Sequence, residues 1–207
     1  MIAESLAGKR IAVTGATGFL GTAIVERLLR SVPGCEVALL VRAGRRSTAA
    51  QRVQREIIRN DAFDRLRAEV GGAKPLEELV ARRLQVVTGD VSSDGLGLDE
   101  NDRAVLASCD IVLHSAATVA FDSPLDGAVE VNLLGPSRIV ATLSELGVAP
   151  HLVSVSTCYV AGNRRTRAPR APPRGDCRRH SRSTPRPGGA RRRARSAWRR
   201  CATARGG

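Results

Sequence analysis

The chain has 207 residues, 33 Lys and Arg against 20 Asp and Glu, and a formal net charge of +13. As an average this describes a binder of nucleic acid or of a membrane surface, but the charge is divided. Residues 1–163 hold 17 basic and 19 acidic side chains, whereas residues 164–207 hold 16 arginines against Asp176 alone, so the net charge excludes neither an ordinary globular domain nor an enzyme.

Residues 1–163 are rich in Ala, Val, Leu and Gly and long enough to bury one core. Residues 164–207 contain no Val, Ile, Leu, Met or Phe. Too little apolar surface is available there to offset chain entropy, and disorder is expected. The five cysteines are odd in number and lack the paired C-x-x-C spacing of a zinc site. The opening residues lack the apolar core of a leader, and no run reaches the roughly 18 apolar residues that span a bilayer. A soluble, cytoplasmic chain without a metal is expected.

In chain order, Arg10 to Thr14 is a short, mostly apolar run that meets Gly15-Ala16-Thr17-Gly18-Phe19-Leu20-Gly21, and Thr22 to Arg30 then carries Ile24, Val25, Leu28 and Leu29 at helical spacing. Strand, tight turn and helix are predicted. Glu36 to Val41, continuously apolar after Pro33-Gly34, reads as a second buried strand. Residues 47–82 are helical in pattern, with Ser47 in the N-cap position and breaks near Asn60 and at Gly71-Gly72. Leu84 to Thr88 gives a third strand, Asp99 to Ser108 a short helix, and Asp110 to His114 a fourth strand. Ser123 to Leu146 reads as one long helix ended by Gly147, and His151 to Val155 as a fifth strand. This alternation predicts an α/β fold with a doubly wound parallel sheet.

The glycine pattern carries the chemistry. A pyrophosphate needs backbone that approaches without a Cβ in the way, a turn that tolerates positive φ, and free N–H groups at a helix N-terminus. G-x-x-G-x-x-G supplies these, which puts Gly15, Thr17, Gly18, Phe19, Leu20 and Gly21 in a candidate dinucleotide site. The second strand ends Val41-Arg42, with Arg45 and Arg46 close behind. An acid at that place would accept from a ribose 2′-OH, whereas Arg pairs with a 2′-phosphate, so NADP is favoured, with Arg42 the most position-specific of the three, over the alternative of solvated loop arginines.

Asp90 and Val91 follow the third strand, and Asp90 either offers its carboxylate to an adenine amino group or caps a turn or helix. Ala116 and Ala117 are small enough for a cofactor to run past their backbone. His114 reads as a hydrogen-bonded strand-end histidine rather than a general base, because no carboxylate partner is placed for it. Cys109 and Cys158 read as small apolar fillers. Ser156 and Thr157 stand at the carboxyl end of the fifth strand, where open α/β proteins bind ligands. A hydroxyl there either orients a carbonyl for hydride transfer or closes a turn.

Taken together, Val13-Thr14-Gly15-Ala16-Thr17-Gly18-Phe19-Leu20-Gly21, Leu39-Leu40-Val41-Arg42, Gly89-Asp90-Val91-Ser92, His114-Ser115-Ala116-Ala117-Thr118-Val119-Ala120-Phe121-Asp122, Val131-Asn132-Leu133-Leu134-Gly135 and Val155-Ser156-Thr157-Cys158-Tyr159-Val160 stand in order. With Phe63-Asp64-Arg65-Leu66 they resemble the extended short-chain dehydrogenase/reductases, in particular the fatty acyl-CoA reductases, over residues 8 to about 163. The resemblance implies a Rossmann-type NAD(P)-binding domain over residues 1–163 and NADPH-dependent reduction of a long-chain acyl-CoA thioester to aldehyde or alcohol. It further implies that Thr157 is the catalytic hydroxyl with Ser156 as its neighbour, and that Asn132 is the helix asparagine near the active site. The family's Tyr-x-x-x-Lys pair has no counterpart: Tyr159 is the only tyrosine, Asn163 follows four residues later, and the only lysines are Lys9 and Lys74.

Residues 164–207 combine 16 Arg with 7 Ala, 5 Pro and 5 Gly and no Lys, a composition of G/C-rich codons. The expectation is a reading frame shifted near Asn163 to Thr166, leaving a truncated and catalytically impaired reductase. Two alternatives stay open: an NADP-binding domain without turnover, and a basic tail that binds nucleic acid or another polyanion without selectivity.

Overall fold

The computed structural model describes residues 2–120 and 122–157; the expectations for Cys158, Tyr159 and residues 164–207 lie outside the described residues. A short helix α1 (Ile2–Ser5) leads into β1 (Arg10–Thr14), α2 (Phe19–Ser31) and β2 (Glu36–Val41). Next come α3 (Ala49–Val53), a π-helical turn Gln54–Ile58, a 3-10 turn Asp61–Phe63, α4 (Asp64–Val70), α5 (Ala73–Arg83) and β3 (Leu84–Thr88). A 3-10 turn at Asp94–Gly97, α6 (Glu100–Ala107) and β4 (Ile111–His114) follow. The described part closes with α7 (Leu125–Ala128), a π-helical segment Val129–Leu134, α8 (Gly135–Glu145) and β5 (His151–Ser154).

The five strands form one parallel sheet in the order β3-β2-β1-β4-β5. Alternate residues of each central strand feed different cores. Ile11, Val13, Val37, Leu39 and Val41 pack against Val25, Leu28 and Leu29 of α2 and against Val53, Ile57, Phe63, Leu66 and Leu76. On the other face Ala12, Ala38, Leu40, Val87 and Val112 pack against Leu106 of α6 and Ile139 and Leu143 of α8. Burial on both faces is why these strands read as continuous apolar runs. The sheet is doubly wound and Rossmann-like, as the alternation predicts.

Local rules set the element ends. Thr48, not Ser47, caps α3: its hydroxyl accepts from the backbone N–H of Gln51, while the Gln51 side chain accepts from the backbone N–H of Thr48. Ser47 is occupied elsewhere, its carbonyl accepting from Gly44 N–H at 2.8 Å in a tight loop. Asn60 caps the next turn, and Gly71 ends α4 at φ +95°. The expected single helix over 123–146 is instead two helices joined by a wider π-helical turn, which 3.6-residue periodicity does not resolve.

Beneath the sheet's amino edge, Arg83 donates to the carbonyls of Leu29, Val32 and Cys35, satisfying the groups left open where α2 stops. The Asp110 carboxylate accepts from Arg10 N–H and Lys9 Nζ, which aligns the start of β4 with β1.

Candidate cofactor site

The order β3-β2-β1-β4-β5 places β1 between β2, reached through α2, and β4, reached after two further crossovers. Chain direction therefore diverges above the carboxyl ends of β1 and β4, the place where open sheets bind ligands. A cleft of about 290 Å³ lies there. Its walls are the Gly15–Gly18 turn, the ends of β2 and β3 with Arg42, Asp90 and Val91, and the Ser115–Thr118 segment.

The turn is built from absent side chains. Gly15 has φ +71°, and a Cβ on it would lie 2.5 Å from the backbone nitrogen of Ala116. A Cβ on Gly21 would collide with the Gly15 carbonyl oxygen, so the first turn of α2 rests directly on the loop. Gly18 N–H donates to Gly15 O at 3.0 Å. The first-turn N–H groups of α2, which have no acceptor within the helix, open beside this bend. A cradle of this shape, narrow where a Cβ would stand and rimmed by N–H donors, fits a dinucleotide pyrophosphate.

At the other end, Arg42 is 69% exposed and its Nη1 lies 3.7 Å from Asp90 Oδ2. Asp90 also folds its own turn, Oδ1 accepting from Ser92 N–H and Ser92 Oγ. Burial works against the charged carboxylate, but the Ser92 hydrogen bonds and the Arg42 guanidinium together outweigh it and hold Asp90 below the usual carboxylate range. Arg52 also lines the cleft. It grips Glu56 through Nε and Nη2 and donates from Nη1 to the Arg42 carbonyl at 2.8 Å, so it fixes the backbone that carries Arg42.

Of the residues singled out by sequence, Gly15, Thr17, Gly18, Arg42, Asp90, Val91, Ala116 and Ala117 come together around this cleft. Gly21 supports it from behind. Phe19 and Leu20 sit in the first turn of α2 with exposed side chains, Phe19 at 96%, so only their backbone faces the turn. Asn132 is not in the wall; from the π-helical segment its side chain donates to Thr118 O and accepts from Thr118 N–H, holding a residue that is. Ser156 and Thr157 follow β5 as exposed residues outside the lining. His114 is buried with Nδ1 2.7 Å from Thr14 Oγ1. Cys109 is buried, and that burial pushes its thiol up to about 11. Among the described residues no cluster of His, Cys, Asp or Glu is arranged to hold a metal, and no helix is long and apolar enough to cross a membrane.

Sequence reasoning missed Arg52 and Thr118. Arg52 stands ten residues past Arg42 on the polar side of a helix, and only the turn of α3 back toward β2 brings it to the cleft.

The family model for the NAD-binding male sterility proteins matches residues 13–189, a range that begins in β1 and enters the arginine-rich segment. The chain belongs to this family. Fatty acyl-CoA reductase 1 of Homo sapiens is 34% identical over 166 residues, which cover 79% of this chain and 31% of the human protein. Fatty acyl-CoA reductase 1 of Arabidopsis thaliana is 33% identical, covering 77% and 33%. The chain thus spans about a third of the length of the curated relatives it matches. Among solved structures, the reductase domain of a nonribosomal peptide synthetase from Mycobacterium tuberculosis is 32% identical with a TM-score of 0.53, covering 75% of this chain and 34% of that one. The terminal reductase domain of the myxalamid pathway is 30% identical with the same TM-score, covering 74% and 36%. Membership of the male sterility family gives the chain a nicotinamide-cofactor-binding domain on a reductase-type fold.

Proposed function

We propose that the chain binds NADPH in preference to NADH in this cleft, as the cofactor half of an NADPH-dependent reductase acting on long-chain acyl-CoA. The observation that carries the cofactor choice is Arg42, in the cleft wall where β2 ends and with its backbone held by Arg52, while the nearby carboxylates are already engaged, Asp90 by Ser92 and Arg42 and Glu56 by Arg52. A guanidinium at that place recognises a 2′-phosphate, and a free acid there would repel it. The reduced nicotinamide supplies a hydride when bound. The Gly15–Gly21 turn holds the pyrophosphate, Asp90 and Val91 border the adenine, and Ala116 and Ala117 leave room for the cofactor to pass along the strand ends.

Thr157, with Ser156 beside it, is the hydroxyl we assign to the acyl carbonyl, and Asn132 holds the Thr118 backbone on the way to it. The sequence has no Tyr-x-x-x-Lys to protonate a forming alkoxide. General-acid help of that kind is worth roughly 10²–10⁴ in rate. That observation favours, as a second reading, a chain that binds NADPH with turnover lost or greatly reduced. The two buried free thiols, Cys35 and Cys109, accord with a reducing, cytoplasmic setting.

Fluorescence titration with NADPH and NADH, followed by NADPH oxidation with a long-chain acyl-CoA, tests both statements. Selective NADPH binding with no acyl-CoA-dependent oxidation is expected. Equal affinity for the two cofactors overturns the NADP assignment, and brisk acyl-CoA-dependent oxidation overturns the loss of turnover.

A further inference from the structure

His114 ends β4 as the cross-strand neighbour of Thr14 at the end of β1, and it is 3% exposed. The cofactor reading gives it no task, yet its hydrogen bonding is constrained. Thr14 Oγ1 lies 2.7 Å from His114 Nδ1 and also accepts from the backbone N–H of Ala116 at 3.3 Å. An amide N–H can only donate, so it takes one lone pair of the hydroxyl oxygen; among the described residues the ring is the only acceptor paired with that hydroxyl, and its single proton therefore goes to the ring. Nδ1 is then the acceptor and Nε2 carries the ring proton. Burial acts in the same sense, holding the imidazole below its usual range and therefore neutral.

The consequence is local and geometric. Thr14 O accepts from Ser115 N–H at 3.3 Å and from Ser115 Oγ at 2.8 Å, so the whole start of the 115–118 segment hangs on Thr14. This segment is the wall against which Gly15 packs without room for a Cβ. Thr14, Gly15, Ser115 and Ala116 all line the cleft. A Thr hydroxyl free to rotate could turn its proton toward Ala116 N–H, setting donor against donor and losing that hydrogen bond.

We propose that His114 is a positioning residue for the cofactor: by taking the Thr14 hydroxyl proton it aims the oxygen at Ala116 N–H and sets the gap between the glycine turn and the Ser115–Ala117 wall. The proposal rests on the NADPH reading above. A ring that merely fills space would serve as well without its acceptor nitrogen, which gives the test its form.

Two measurements decide it. Long-range proton–nitrogen NMR of histidine-labelled wild-type protein, which has only three histidines, reads the ring tautomer directly. NADPH titrations then compare His114→Phe and Thr14→Val, which delete the acceptor or the donor, with His114→Asn and Thr14→Ser, which keep them; thermal melts verify that each variant is folded. The expected results are the Nε2–H tautomer, NADPH binding weakened roughly 5- to 50-fold in the Phe and Val variants, and recovery to within about threefold in the Asn and Ser variants. An Nδ1–H ring, or a Phe variant that binds as wild type does, overturns the proposal. So does an Asn variant no better than Phe. Wild-type protein that binds no NADPH overturns the cofactor reading, and the positioning role falls with it, whereas the tautomer still reports whether the Thr14–His114 geometry is right.

Discussion

On the NADPH reading, Arg42→Ala separates recognition of the 2′-phosphate from recognition of the rest of the dinucleotide. A hydrogen bond to a charged partner contributes about 1.5–3 kcal/mol. Two features of the cleft reduce that figure. Arg42 is 69% exposed, so water screens it, and it must leave Asp90, 3.7 Å away, to meet a phosphate. An exposed ion pair of that kind is worth about 0–1 kcal/mol. The net loss in Arg42→Ala is about 1–2 kcal/mol, or roughly 5- to 30-fold weaker NADPH binding, with NADH unchanged within about twofold. Fluorescence titration of both cofactors at low and high salt is the assay, and added salt should narrow the NADPH gap because the contact is exposed. Equal weakening of both cofactors, or of neither, would refute the assignment of Arg42 to the 2′-phosphate.

The same geometry predicts that Asp90→Asn, which keeps an oxygen for Ser92 but removes the charge that competes for Arg42, tightens NADPH binding by about two- to fivefold in the same titration. Gly15→Ala forces an L side chain into φ +71° and a Cβ against Ala116 N, so cofactor binding should be lost and the melting temperature lowered. Phe63→Ala, which empties a site that is 0% exposed beneath α2 and α4, should cost about 3–5 kcal/mol in urea unfolding. His114 gives the pH dependence: burial depresses its folded pKa below 6.5, so near and below that pH the unfolded chain binds a proton the folded one refuses. Stability present above pH 6.5 is therefore lost as pH falls through the folded value, by at most about 1.4 kcal/mol per pH unit. His114→Phe should remove that component from a pH series of urea melts.

The central strands β1 and β2 were legible because a parallel sheet covered on both faces selects unbroken apolar runs. Arg10–Thr14, Glu36–Val41 and Leu84–Thr88 begin and end where their composition does. The glycine turn was legible for a related reason: only glycine satisfies both the dihedral angle at residue 15 and the approach of α2 to the loop at residue 21. What escaped is structure that depends on three-dimensional neighbours. Leu96 lies at φ +60° in the turn after β3, a conformation no leucine signals, and its carbonyl accepts from Asp90 N–H. Val129–Leu134 carries helical periodicity but opens into a wider turn, from which Asn132 reaches Thr118. Arg52 gives no local sign of its role, since its target is a carbonyl ten residues away across a loop.

The tie between Thr14 and His114 joins residues 100 positions apart, and this separation has a bearing on synthesis. Translation at about 5–20 residues per second leaves a delay of roughly 5–20 s between the emergence of the glycine turn and that of its opposing wall. In that interval α2, β2 and β3 emerge in turn but the Ser115–Thr118 wall is still missing, so the cleft stays incomplete for a dinucleotide. The cofactor can stabilise this protein only after β4 has left the ribosome and docked beside β1, which makes the insertion of that strand the step at which ligand concentration first matters.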